Sequence, residues 1–161
     1  MFGSSNSGAS IEGLNLPDTV GASFIQPFAL DSQNGNRLIV GTNNVFYSSN
    51  VRELENASFV DITGDLIGGT VNALSFNKNI SNQILVGMTG GNIYKVNGIG
   101  STNTVIDITP ADNNDVIGSI TDIKVDVSDV SGNKLYATRG NSDIDRVIKS
   151  RHGGLSWNSE T

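Results

Sequence analysis

Carboxylates recur at matched places along this chain, an arrangement that acid–base catalysis or cation binding could use. Asp31 and Asp126 each follow a short apolar run, with Asn77 at the equivalent place between them. Two carboxylates about 5 to 9 Å apart across a sugar bond are what glycoside hydrolysis requires. Asn at the matched place points instead to capping of the following turn, a task Asp and Asn side chains share. "NSDIDRV" (141–147) sets Asp143 and Asp145 two residues apart, downstream of Asp126 and Asp129. Such spacing can hold calcium, although the acidic series and terminal Glu of a dedicated calcium loop are missing. Alternation at a strand start gives the same pattern without a ligand. His152, the only histidine, lies between Arg151 and Gly153. Spacing assigns it neither a nucleophile nor an orienting acid, so it reads as a solvated turn residue. Phe46, Tyr47, Tyr94, Tyr136 and Trp157 are candidate platforms for stacking on sugar, and all but Tyr47 fall inside a repeating apolar pattern that assigns them to packing. The binding candidates are therefore Asp143, Asp145, Arg139, Arg146 and Tyr47, with no residue in a catalytic role and no cofactor beyond the calcium reading.

The elements that must position these residues form a repeat. "NRLIVGT" (36–42) recurs as "NQILVGM" (82–88) and "NKLYATR" (133–139), at offsets of 46 and 51. Each has a strand-like piece upstream, "PFALD" (27–31), "ALSFN" (73–77) and "DIKVD" (122–126), and another downstream, "VFYS" (45–48), "IYKV" (93–96) and "VIKS" (147–150). "SFVDIT" (58–63), "TVIDIT" (104–109) and "SWNSET" (156–161) close the units, so Trp157 takes the place of Phe59 and Val105. Four short runs rich in branched and aromatic residues, separated by Gly, Asn, Ser and Asp turns, predict consecutive antiparallel strands. Four-stranded units at this period predict an all-β propeller fragment of about three blades, near 27–70, 71–118 and 119–161. Residues 1–26 read as a lead-in loop with a stray strand, and residues 1–10 are left without structure. The unbroken apolar runs in "RLIVGT" and "QILVGM" predict strands packed on both faces.

Composition narrows the function. Ten basic against sixteen acidic residues give a formal charge of -6, which opposes binding to nucleic acid or to anionic membranes. Apolar runs are too short to span a bilayer. With no cysteine there is neither a disulfide framework nor a thiolate zinc site. No signal peptide is legible at the N-terminus; if the protein is secreted, its export signal lies outside this chain.

"SRHGGLSW" (150–157) resembles the Asp-box, or BNR repeat, Ser-x-Asp-x-Gly-x-Thr-Trp: Ser150, Gly154, Ser156 and Trp157 match, and His152 stands where the Asp belongs. In that family the Asp caps the hairpin between the third and fourth strands of a blade, so the departure puts the turn's stability in question rather than its place. Ser49, Ser58 and Phe59 are the remnant in the first unit, and Thr104 and Val105 in the second. The strand pattern over residues 27–161 is similar to bacterial Asp-box propellers of the xyloglucanase-like, sortilin-like and photosystem-assembly-factor-like kinds. Sialidases share the fold, but their Arg-Ile-Pro motif is missing. In xyloglucanase-like enzymes a catalytic Asp sits in the loop after a blade's second strand; here "TNN" (42–44) and "MTGGN" (88–92) carry no acid, and the third such loop, with Asp143 and Asp145, is the only acidic one.

The resemblance implies an extracellular or cell-surface segment that binds glycan or protein through its rim loops. A part of a glycoside hydrolase whose acids lie on other blades, and a purely structural module, are the alternatives. Three units are expected to leave two apolar flanks open, so the chain is either part of a longer propeller or a homo-oligomer that closes the ring, as two copies would with six blades.

Overall fold

The computed structural model describes residues 1–4, 6–14, 16, 25–111, 118–140 and 146–159. A short ribbon pairs β1 (Phe2–Gly3) with β2 (Glu12–Gly13), so the first ten residues are not without structure as the sequence suggests: Phe2 and Gly3 find strand partners eleven and nine residues on. Three four-stranded antiparallel sheets follow, each a simple meander. The first holds β3 (Phe28–Leu30), β4 (Leu38–Gly41), β5 (Val45–Ser48) and β6 (Val60–Asp61). The second holds β7 (Val71–Phe76), β8 (Gln83–Met88), β9 (Ile93–Asn97) and β10 (Thr104–Asp107). The third holds β11 (Ser119–Val125), β12 (Leu135–Gly140), β13 (Val147–Ser150) and β14 (Asn158–Ser159). A 3-10 segment, Val51–Asn56, interrupts the β5–β6 connection.

The sheets stack face to face, and side-chain alternation along each strand divides the core between neighbours. On β8, Ile84, Val86 and Met88 pack toward the first sheet with Ile39, Val45 and Tyr47. Leu85 on the same strand packs toward the third with Ile120, Ile123, Leu135 and Ala137. Burial on both faces is why "QILVGM" shows no polar alternation; every one of its residues is buried.

Close approach of one sheet to the next depends on two glycines at equivalent register. Gly41 pairs with Val45 and Gly87 with Ile93, at the far ends of their β4–β5 and β8–β9 pairs. A Cβ on Gly41 would lie 2.5 Å from Val71 Cγ1, and one on Gly87 would lie 2.3 Å from Ile120 Cγ2. Val71 and Ile120 are themselves equivalent, facing Met88 and Arg139 in register, and each precedes a bulge at Asn72 or Thr121. The bulge turns Asn72 toward the third sheet, where its amide donates to Ser119 Oγ (3.1 Å) and to the Ile120 carbonyl (2.7 Å).

The lead-in segment covers part of the first sheet's other face. Leu14, Met1 and Leu16 pack there with Leu38, Val40, Phe46, Leu54 and Phe59. Phe28 and Leu30 on the first strand stay more than half exposed, at 62% and 54%.

If the glycine notch sets the spacing between sheets, Gly87→Val will lower the unfolding free energy by about 2 to 3 kcal/mol through overpacking against Ile120. Urea denaturation with an unchanged m value is the check; a loss below about 0.5 kcal/mol would show that the notch is not required.

Candidate functional site

The hairpins joining first and second strands hold the matched acids. In each, the residue closing the first strand donates its N–H across the hairpin: Asp31 to Arg37 O, Asn77 to Gln83 O and Asp126 to Lys134 O. Each side-chain oxygen then accepts from the turn, Asp31 Oδ1 from Gln33 N (2.9 Å), Asn77 Oδ1 from Asn79 N (3.0 Å) and Asp126 Oδ1 from Ser128 N (2.9 Å). The rest of each side chain meets the cross-hairpin partner. Asp31 pairs with Arg37 at 3.0 Å, Asn77 donates to Gln83 Oε1 at 2.6 Å, and Asp126 pairs with Lys134 at 2.6 Å. One geometry is thus met by three chemistries: Asp–Arg, Asn–Gln and Asp–Lys.

These hairpins interlock. Gln33 Nε2 donates to Lys78 O (3.0 Å), and Asn79 Nδ2 donates to Asp126 O (3.1 Å) and Asp129 O (2.8 Å). Asp129 accepts from the backbones of Ser131, Asn133 and Lys134. Hydrogen bonds from the Lys134 ammonium and from Ser128 hold the Asp126 carboxyl far below the ordinary range, those from Ser131 lower Asp129, and the Asp126 carboxylate raises Lys134. Asp126 and Asp129 are therefore committed to structure. Asp143 and Asp145, on which the calcium reading rests, lie outside the described residues.

Tyr47 offers no stacking platform. Its ring is buried in the core between the first and second sheets, and its hydroxyl accepts from Arg37 Nε at 3.1 Å. The Arg37 guanidinium lies over both Tyr47 and Phe76 and reaches Asn82 Oδ1 at 3.0 Å. Alternation puts Tyr47 on the packed face, which its polar tip conceals in the sequence.

The turn after β13 fastens the third sheet to the second. Ser150 is fully buried, and its hydroxyl accepts from His152 N (3.2 Å) and Gly154 N (2.9 Å). Gly153 and Gly154 both have positive φ, and a Cβ on Gly154 would meet Ile108 at 2.6 Å. Lys95 Nζ donates to Gly153 O (2.9 Å), and Trp157 Nε1 donates to Ile108 O (2.7 Å). His152 is exposed, with Nδ1 at 3.5 Å from Ser156 Oγ.

The first sheet carries a counterpart at Ser48 rather than Ser49. Leu38 faces Ser48 in register as Leu135 faces Ser150, and both serines are buried. Two residues on, Asn50 stands where His152 stands, and its Oδ1 accepts from Ser58 N (2.9 Å) and Ser58 Oγ (3.1 Å). Asn50 escapes a sequence reading because the 3-10 segment separates it from Ser58. The aligned runs "VFYS" and "VIKS" already contain the signal for Ser48.

An open cleft of about 330 Å³ lies between the outer strands of the second and third sheets, lined by Thr109, Arg139, Ser156, Trp157, Asn158 and Ser159 among others. Arg139 reaches it from the end of β12, where Arg139 N donates to Arg146 O at 2.8 Å. Arg146 is exposed, outside that lining. The volume is at the small end for ligand sites, and the described lining combines an aromatic ring, a guanidinium, hydroxyls and an amide without a carboxylate.

The chain matches no protein-family model and no curated protein. Its fold is similar to that of a GH74 enzyme from Niastella koreensis, with TM-score 0.56 and 22% identity over 88% of this chain, and to a GH74 xyloglucanase from Xanthomonas campestris, with TM-score 0.57 and 14% identity over 82%. The chain spans 22% of the length of each. The fold is thus of the β-propeller kind, with three four-stranded sheets among the described residues.

Because Trp157 joins two blades, Trp157→Ala is expected to destabilise by about 3 kcal/mol, while Trp157→Phe loses about 1 kcal/mol with the indole hydrogen bond; urea denaturation distinguishes them. The depressed Asp126 carboxyl stabilises the fold above the ordinary carboxylate pKa, and that contribution disappears as pH falls through the folded value. The stability advantage of the unsubstituted chain over Asp126→Asn should therefore hold at neutral pH and shrink below about pH 4. A constant difference down to about pH 2 would contradict the linkage.

Proposed function

We propose that this chain is a non-catalytic propeller segment that binds a glycan in the cleft between its second and third blades, in an extracellular or cell-surface setting. The observation that carries the reading is the cleft itself, where Trp157, Arg139 and the hydroxyl and amide groups of Thr109, Ser156, Asn158 and Ser159 converge without a described carboxylate. An aromatic edge with directional donors suits a sugar's apolar faces and hydroxyls. The matched acids on the hairpin rim are caps and ion-pair partners, which leaves them poorly placed for proton transfer. We assign the Ser150–Trp157 turn, and the Ser48, Asn50, Ser58 and Phe59 set, as degenerate Asp-boxes, with Asn50 or His152 at the acid's position.

The second reading, a portion of a glycoside hydrolase whose acids lie on other blades, is favoured by the likeness to GH74 folds. Titration with xyloglucan oligosaccharides separates the two. Trp157 is the only tryptophan, so its fluorescence reports on the cleft directly. Saturable quenching without release of reducing ends is expected, with Arg139→Ala weakening binding about tenfold by loss of a charged hydrogen bond. Unchanged fluorescence, or binding indifferent to Arg139→Ala, would refute the site. Release of reducing ends would favour the hydrolase reading.

A further inference from the structure

Each blade presents a forward face to the one after it, and register identifies the residues that compose it. In the first blade these include Ala29, Ile39, Gly41 and Tyr47; in the second, Ala73, Ser75, Leu85, Gly87 and Lys95. The corresponding set in the third blade is Asp122, Lys124, Tyr136, Thr138 and Lys149. Pair by pair, Ala73 opposite Gly87 becomes Asp122 opposite Thr138, and Ser75 opposite Leu85 becomes Lys124 opposite Tyr136.

The replacements are mutually satisfied. Asp122 pairs with Lys124, the Thr121 and Thr138 hydroxyls share a hydrogen bond of 2.8 Å, and the Lys149 ammonium lies 5.3 Å from the Tyr136 ring centroid. Thr138 places a side chain in the notch that Gly41 and Gly87 leave open for Val71 and Ile120. Asp122 and Lys124 are both more than half exposed, at 53% and 60% of their side-chain area. Burying them against an apolar sheet would strip two charges of water.

We propose that the forward face of the third blade is a polar cap that does not accept the apolar backward face of another copy of this chain. The expectation of two apolar flanks is corrected accordingly: exposed Phe28 and Leu30 lie at the backward end, and the forward end is polar. A ring closed by two copies would bring the forward end of each against the backward end of the other. Charged groups would then meet an apolar edge, so copies of this chain do not close a ring through these faces.

Light scattering of the full chain over a tenfold concentration range, combined with acetylation of individual lysines, tests this. The expected result is a constant mass of 16.9 kDa, with Lys124 acetylated at the same rate across the concentration range. Association through another surface that leaves Lys124 reactive supports the cap equally. An oligomer in which Lys124 is protected overturns it. A variant carrying Asp122→Ala, Lys124→Ser, Tyr136→Leu and Thr138→Gly restores the second blade's pattern and is expected to self-associate. A folded variant that stays monomeric would also overturn the proposal, and if the variant does not fold, Lys124 reactivity in the unsubstituted chain decides.

Discussion

The contact on which the structure depends is the seating of one blade's first strand in a notch left by a glycine on the preceding blade. Val71 fills the space above Gly41 and Ile120 fills the space above Gly87. Everything between the blades follows from that approach. Ile39, Val86 and Tyr47 can share one core, and Leu85, Ile123 and Ala137 another, because no Cβ holds the sheets apart at the tightest point. Val71 N also donates to Thr42 O at 2.7 Å, a backbone bond between blades that needs the same proximity. Where the notch is filled, by Thr138, the apolar face ends with it.

Around this constraint the polar groups divide between two kinds of work. On the hairpin rim they are consumed by structure. The pairs Asp31–Arg37, Asn77–Gln83 and Asp126–Lys134 perform one task with three charge patterns, so charge on this rim carries little information about a ligand. Between the outer strands, the turn at Ser150–Trp157 brings an indole, and β12 a guanidinium, to one cleft. The same Trp157 fastens the blades and lines the site, so a ligand there would sense the blade interface.

The three meanders are legible in the sequence because their apolar runs recur with Asn at the head of each second strand, and because turn residues separate the runs. The capping role of Asp31 and Asp126 is legible too, through Asn77 at the matched place. What sequence reasoning loses depends on direction and on insertions. Tyr47 reads as accessible because the packed face of β5 is not marked by a polar alternation; all four of its residues are buried. Asn50 is hidden by the 3-10 segment that carries its partner Ser58 away along the chain. The polar face of the third blade stands in plain view as "TDIKV" (121–125), alternating where "ALSF" (73–76) does not. Recognising it required the register that identifies Asp122 with Ala73 and Lys124 with Ser75. The cleft needs the packing of two blades and has no linear signature.

Seated on the two glycine notches, the three sheets are expected to unfold as one cooperative body. Native-state hydrogen exchange of backbone amides measures it directly. Central amides of β4, β8 and β12 should exchange through a single global opening, with one denaturant slope and one free energy. If the β11–β14 amides instead opened at a distinctly lower free energy than those of β7–β10, the third blade would be an independent unit, and the contact at Gly87 would not be what holds it to the second.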